Sequence, residues 1–350
     1  MKLTFRGSDA TKFMLFLLLF WIGSIFARDI LRVVLDSMGL NVSFFLAPWA
    51  IMAQQVVGLL LPLFIWLAVK RQKFTNYMPR VPLGFVNLAI VTVLSFALQP
   101  IMMLVSAFFN QFFNNDVADM VGAMTVHPWW LLLLALAVTP GIVEELVFRG
   151  YIQATTPGQK FAKIAVLNGL LFAIMHLNAH QFAYTFLLGI AFAYMVHITK
   201  SIWAGILSHF IINASQVTFM YVAMLASSGI DEVQATSFAQ EMYNAIVGID
   251  PELARRVYDM LYGISDELIV VILLGVFAMF ALPLCVILFA VLVRYNRGRF
   301  NVGAAQAQVL QEAIKEAQIQ AVRVRSFNID PFLCITVVVY ISMVAAILLL

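Results

Sequence analysis

Six polar side chains suited to chemistry sit inside runs that are otherwise apolar: Glu144, Glu145 and Arg149 in "GIVEELVFRG", His176 in "LLFAIMHLN", and His209 and Asn213 in "GILSHFIINAS". An ionisable group at the centre of a membrane helix costs at least roughly 2.5–3.5 kcal/mol, and such groups usually face a bundle interior and mark a functional site. One carboxylate, two imidazoles and a carboxamide can take a proton from water, pass it to a leaving amine, and hold an oxyanion developing on a scissile carbonyl. The set holds no usual nucleophile. Ser208 and Ser215 are near in sequence, but no G-x-S-x-G turn is present. Water is therefore the attacking species that these residues suit. The same atoms also offer a competing reading, in which Glu144, His176 and His209 supply three ligands to zinc and leave a fourth position for water. H-E-x-x-H is absent and the two histidines fall on different spans, which counts against a metal without excluding it.

Helical spacing divides the cluster. Glu145 and Arg149 are i,i+4 with the acid on the N-terminal side, the better orientation for an ion pair within one helix. Glu144 points about 100° away and must find its partners elsewhere. Pro140 offers no N–H to the carbonyl of Leu136, so a kink is expected just before the glutamates. His209 and Asn213 are also i,i+4, a spacing that taken alone equally fits an interhelical hydrogen-bond pair. Measured from the predicted cytoplasmic end of each helix, Glu144 lies about 16–17 Å deep, His209 about 12 Å and His176 about 24 Å, a loose common layer in which His176 is the outlier.

The elements that must position these groups follow from composition. The chain has 350 residues, 63% hydrophobic and 11% charged, with mean hydropathy +0.95. Those values belong to an all-α polytopic membrane protein rather than a soluble domain. Apolar runs near the length of about 20 residues that a bilayer core requires occur at 11–27, 44–69, 85–109, 129–155, 160–177, 181–198, 201–226, 267–293 and 331–350. They predict eight or nine transmembrane helices, with the polar cluster on the fourth, fifth and seventh. The first run lacks a small-residue cleavage site and reads as a span kept in the mature protein. Cys285 and Cys334 lie within spans and read as core packing. Formal net charge is only +3, and no basic patch interleaved with aromatics is present outside the spans, so no nucleic-acid partner is expected.

Charge orients the bundle. With the N-terminus in the cytoplasm, all of the 21 Lys and Arg residues except Arg28, Arg32, Arg255 and Arg256 fall on the cytoplasmic side, as the positive-inside rule requires. Four regions are expected: N-terminal spans at 1–128, a catalytic core at 129–226, an external amphipathic insert at 227–266 with Pro251 opening a second helix, and C-terminal spans at 267–350 that include a cytoplasmic helix at 303–325. His127, His180 and His197 fall at span ends and read as interfacial. Gln54 and Gln55 read as interhelical hydrogen-bond donors.

"EELVFR" at 144–149, "FAIMH" at 172–176 and "HFIIN" at 209–213 resemble the E-E-x-x-x-R, F-x-x-x-H and H-x-x-x-N/D motifs of the CAAX protease and bacteriocin-processing (CPBP, or Abi) family of intramembrane proteases. That family is related to the type II CAAX prenyl endopeptidases. The resemblance covers roughly residues 129–220, with the three motifs in order on three spans. It implies a glutamate-dependent membrane protease whose cavity opens toward the cytoplasm. Within that resemblance Glu144 and His176 activate water and His209 and Asn213 hold the oxyanion, while Glu145, Arg149 and Phe172 are supporting. It implies no cofactor, with zinc kept as the alternative. Its substrate would be a membrane-associated protein or peptide, CAAX-like, lipidated or other. The likeness is closer to bacterial members, so a bacterial plasma membrane is the implied location and the substrate need not be prenylated. Two readings from other classes stand beside it. One is a non-catalytic peptide-binding, immunity or scaffold protein using the same cavity; the other is a proton-coupled transporter, against which the lack of paired Gly/Pro-broken segments counts. The substrate and the oligomeric state are not written in the sequence.

Overall fold

A computed structural model describes residues 8–156, 160–227, 238–261, 266–300 and 330–349. Among these the chain is all helical, in twelve helices: α1 (Asp9–Ser37), α2 (Pro48–Val69), α3 (Phe85–Phe109), α4 (Asp116–Ala123), α5 (Trp129–Ile152), α6 (Phe161–Met175), α7 (Ala179–Thr199), α8 (Ile202–Ser227), α9 (Phe238–Val247), α10 (Pro251–Leu261), α11 (Asp266–Phe300) and α12 (Pro331–Leu349). Seven of them, α1, α2, α3, α5, α7, α8 and α11, are long and apolar enough to cross a membrane, and α6 and α12 are shorter apolar helices. All nine expected spans are thus helices of an integral, multi-pass bundle.

Local chemistry starts the helices where the spans predict. Ser8 caps α1 by accepting from the Thr11 N–H, Asn115 caps α4 and Asn178 caps α7 in the same way. Pro48 and Pro251 occupy first turns, where their missing N–H costs nothing. One boundary differs from expectation, at the end of α1, while α6 is short, as its expected run of 160–177 is. α1 continues ten residues past 27, because no breaker occurs before Gly39, whose φ is +75°. α6 has only 15 residues, about 22 Å of helix against a hydrocarbon core of about 30 Å. It ends where Leu177 takes a left-handed φ of 50° and the chain turns back into α7.

The amphipathic insert expected at 227–266 is helical over 238–261 as α9 and α10; the helix expected at 303–325 lies outside the described residues. Cys285 is buried, as expected, but Cys334 is exposed. α12 packs one side against α1 and leaves the Cys334 side outward, so that thiol is not core packing.

Packing ties the helices at both ends. At one end Asp330 accepts from the Ser8 N–H and the Thr11 hydroxyl, Lys70 pairs with Asp9, the Val81 N–H donates to the Lys200 carbonyl, and Arg299 donates to the carbonyls of Pro82 and Leu83. This end also carries Lys73, Arg80, Lys160 and Lys163. At the other end Asn178 donates to Asp116, Trp129 to Thr218, and Trp49 meets His127 edge to face. Between them α6 and α7 touch through glycines: a Cβ on Gly189 would lie 2.7 Å from the Cα of Gly169. Small residues of this kind let membrane helices approach backbone to backbone, and the approach sets His176 beside α7 and α8.

Candidate active site

The division predicted within "GIVEELVFRG" holds. Glu145 and Arg149 are fully buried and paired, with Arg149 Nη1 2.7 Å from Glu145 Oε1. The guanidinium also donates from Nη2 to the Gly189 carbonyl at 3.2 Å and lies 4.4 Å from the ring centre of Phe172 and 5.1 Å from that of Phe192. A charge taken out of water is tolerable when it is paired, hydrogen-bonded and covered by aromatic faces. Phe172 thus supports the site by sandwiching the cation and meeting His176 and His209 edge to face.

Glu145 has a second partner that spacing did not reveal. Its Oε1 lies 3.0 Å from Nδ1 of His209, so one carboxylate ties an arginine on its own helix to a histidine on α8. Since Glu145 is held as a carboxylate by Arg149, Nδ1 is the donor. The imidazole then turns Nε2 toward Glu144, 3.9 Å from its Oε2, with Phe192 stacked against the ring at 5.3 Å. His176 is fixed in the same fashion, its Nδ1 donating to the Phe172 carbonyl at 2.8 Å, which leaves Nε2 unused. Fixing Nδ1 selects the tautomer and aims the other nitrogen.

Asn213 meets the backbone of α5 next to Pro140. Its Nδ2 donates to the Leu136 carbonyl at 3.0 Å, the carbonyl that Pro140 cannot serve with an N–H. Wide π-helical turns at Leu134–Val138 and Leu146–Ile152 flank the segment carrying the glutamates, an irregularity that often accompanies functional sites in helices. The second hydrogen of the Asn213 amide is not committed to this bond.

Glu144, His176, His209 and Asn213 all line one cavity of about 140 Å³, together with Gln181, Tyr184 and Gln216. Glu144 Oε2 is buried there without a hydrogen-bond partner. His176, the expected depth outlier, shares this wall because α6 stops at Met175. Leu136, Glu144, His176 and Gln181 also line a second, larger cavity of about 600 Å³ that reaches Arg28, Gln55, Asn114, Asp116 and His180. Among the described residues this larger cavity opens at the Asp116 and Asn178 end of the bundle. In the other direction every residue from Val147 to Ile152 is buried. The cavity therefore opens opposite the basic loops, so the N-terminus-in orientation and the cytoplasmic opening implied by resemblance cannot both hold.

The remaining polar residues sort cleanly. Ser208 bonds Ser95 and Ser215 bonds Gln99, and neither lines the cavities that hold Glu144 and His176. Gln54 donates to Ser24, as expected of an interhelical donor. Gln55 does not: its Oε1 is buried, unpaired and in the cavity wall. His180 is buried and bonds Ser106 at the cavity mouth rather than lying at an interface. His127 packs against Trp49, and His197 stacks on Phe161 at 3.5 Å. Among the described residues no three His, Cys, Asp or Glu side chains gather into a group that could hold a metal ion, although Nδ1 of each site histidine is held in the way that orients a ligating imidazole and Nε2 is left free.

Gly205 of α8 is a further site residue that spacing did not mark. A Cβ there would sit 2.3 Å from Glu145 Oε2 and 3.0 Å from Val196 Cγ2, so α8 can reach Glu145 only because that position has no side chain. Gly205→Ala is expected to destabilise the protein by about 1–3 kcal/mol through overpacking, read as a lower thermal midpoint in detergent. Gly248→Ala, which meets nothing within 4 Å, is the control; equal midpoints for the two variants would contradict the close approach.

Residues 126–215 match the family model described as type II CAAX prenyl endopeptidase Rce1-like. The matched segment contains all of the candidate residues and agrees with the resemblance carried by the three motifs. No curated protein and no solved structure matches the chain.

Proposed function

We propose that the protein is an intramembrane endopeptidase that hydrolyses a peptide bond of a membrane-associated protein or peptide by activated water. One observation carries the reading: Glu144, His176, His209 and Asn213, from three helices, converge on one small cavity that adjoins a larger one. A water between Glu144 and His176 loses its proton to Glu144 as its oxygen attacks the scissile carbonyl carbon. His176, with Nδ1 held by the Phe172 carbonyl, accepts a hydrogen bond from that water at Nε2 and aligns it. The carbonyl oxygen becomes an oxyanion facing Asn213 and His209. Asn213 donates its second amide hydrogen, and His209, held through Nδ1 by Glu145, faces the oxyanion with Nε2. Preorganised donors of this sort are where most of the acceleration of acyl transfer arises. Collapse of the tetrahedral intermediate breaks the C–N bond, and the proton on Glu144 passes to the leaving amine.

The reading includes no metal. Purified protein shown by elemental measurement to be metal-free is expected to cleave a membrane-anchored, quenched-fluorescent peptide at the rate of untreated protein. Loss of turnover on chelation, restored by zinc alone, would replace the glutamate mechanism with a metal-bound water. We further propose that the N-terminus lies in the cytoplasm of a bacterial cell, on the charge distribution described above, and that the substrate need not be prenylated.

A further inference from the structure

The larger cavity is one-sided, and its side is marked by charge. Its floor is Glu144 and His176; its rim is Asn114 and Asp116, both exposed, with Asn178 bonded to Asp116 beside them. From the opposite end the site is sealed by the buried run Val147–Ile152, in which Phe148, Arg149, Tyr151 and Ile152 are each 0–1% exposed. That sealed end carries the basic residues Lys70, Lys73, Arg80, Lys163, Lys200 and Arg299, which retention of Lys and Arg on the cytoplasmic side places inside the cell. The open end carries the acid and amide rim and one arginine, Arg28, which is paired with Asp29.

We infer that the site is supplied from the extracytoplasmic face, and that it takes an extended polypeptide segment exposed at that surface rather than a cytoplasmic tail. The short helix α6 makes the supply physical. By ending at Met175 it leaves His176 at the bottom of a recess instead of under a further turn of apolar helix. Gln55 gives the recess an unspent backbone-binding group: its Oε1 is buried in the wall without a partner, and an acceptor so placed is satisfied by the N–H of an extended chain. The cavity is large enough, about 600 Å³, to sequester several side chains of such a segment. The identity of what enters rests on the endopeptidase reading; the direction of access does not.

The two are tested separately in sealed right-side-out and inverted membrane vesicles carrying the full chain with Cys285→Ala and Cys334→Ala. Gln55→Cys and Asn114→Cys variants are treated with a small membrane-impermeant thiosulfonate, with Lys163→Cys as the marker of the basic end. Gln55→Cys and Asn114→Cys are expected to react only in right-side-out vesicles and Lys163→Cys only in inverted ones. The reverse pattern, or reaction of Gln55→Cys from the Lys163 side, overturns the inference. Should Gln55→Cys prove too poorly folded to insert, Gln181→Cys in the same wall replaces it with the same expectation. Turnover is then read with an impermeant quenched-fluorescent peptide bearing one acyl chain. Cleavage in right-side-out vesicles only, lost when Asn114→Cys is modified by a bulky maleimide, supports both readings; cleavage in inverted vesicles only overturns the direction of access. Outward accessibility with no cleavage by any vesicle sinks the peptidase reading and leaves the direction standing.

Discussion

Glu144→Gln is expected to lower peptide hydrolysis by about 10²–10⁴-fold, the range that a positioned general base supplies, while the protein keeps its helix content and thermal midpoint. The amide has nearly the shape of the carboxylate, and Glu144 belongs to no ion pair that the bundle needs: the ionisable group near it is His209, with Nε2 3.9 Å from Oε2, and Oε2 has no hydrogen-bond partner. What the substitution removes is the acceptor for the water's proton. Turnover of a membrane-anchored fluorogenic peptide in liposomes, beside circular dichroism of the same preparation, decides the matter. A well-folded variant with undiminished turnover would end the water-activation role, and with it the proposed function.

The neighbouring pair behaves in the opposite way. Arg149→Met leaves Glu145 buried, charged and facing only His209, and is expected to destabilise the fold by about 3–5 kcal/mol, the usual consequence of removing one partner of a buried ion pair. Adding Glu145→Leu should restore most of that loss, because an apolar pair of similar volume has no unpaired charge to solvate. Hydrolysis should stay low in the stabilised double variant, since Nδ1 of His209 then lacks the carboxylate that aims Nε2 at the cavity. Unfolding midpoints and turnover for the two single variants and the double variant give both results. Full turnover in the double variant would show that His209 is aimed by something else; a double variant no more stable than Arg149→Met would show that the charge pair is not the source of the loss.

The contrast between two adjacent glutamates was legible in the sequence, because it follows from the 3.6-residue period alone: Glu145 shares a face with Arg149 and Glu144 does not. The all-helical fold and its nine apolar helices were legible for an equally local reason, the match of apolar run length to the bilayer. The link from Glu145 to His209 was not, since 64 residues separate them and their meeting depends on how α5 and α8 cross. Gly205, which permits that crossing, looks in the sequence like any small residue of a membrane helix. The direction of the cavity was hidden as well. It depends on where α6 stops, and the stop is made by a left-handed turn at Leu177, a residue type that signals helix continuation. Hydropathy ends the run at 177 but does not show that the chain turns back there to leave a recess.

Asn213 and Leu136 are 77 residues apart in the chain, yet the π-helical turn before Pro140 in α5 and the candidate oxyanion donor on α8 form one unit. Pro140 leaves a carbonyl without its in-helix donor, and that carbonyl is what holds the Asn213 amide in place. A residue with an N–H at 140 would offer Leu136 a donor within α5 and compete for the contact that positions the asparagine. Loss of Asn213 would in turn remove a donor from the backbone there. Positions 140 and 213 are therefore epistatic: the effect of a change at either depends on which residue occupies the other.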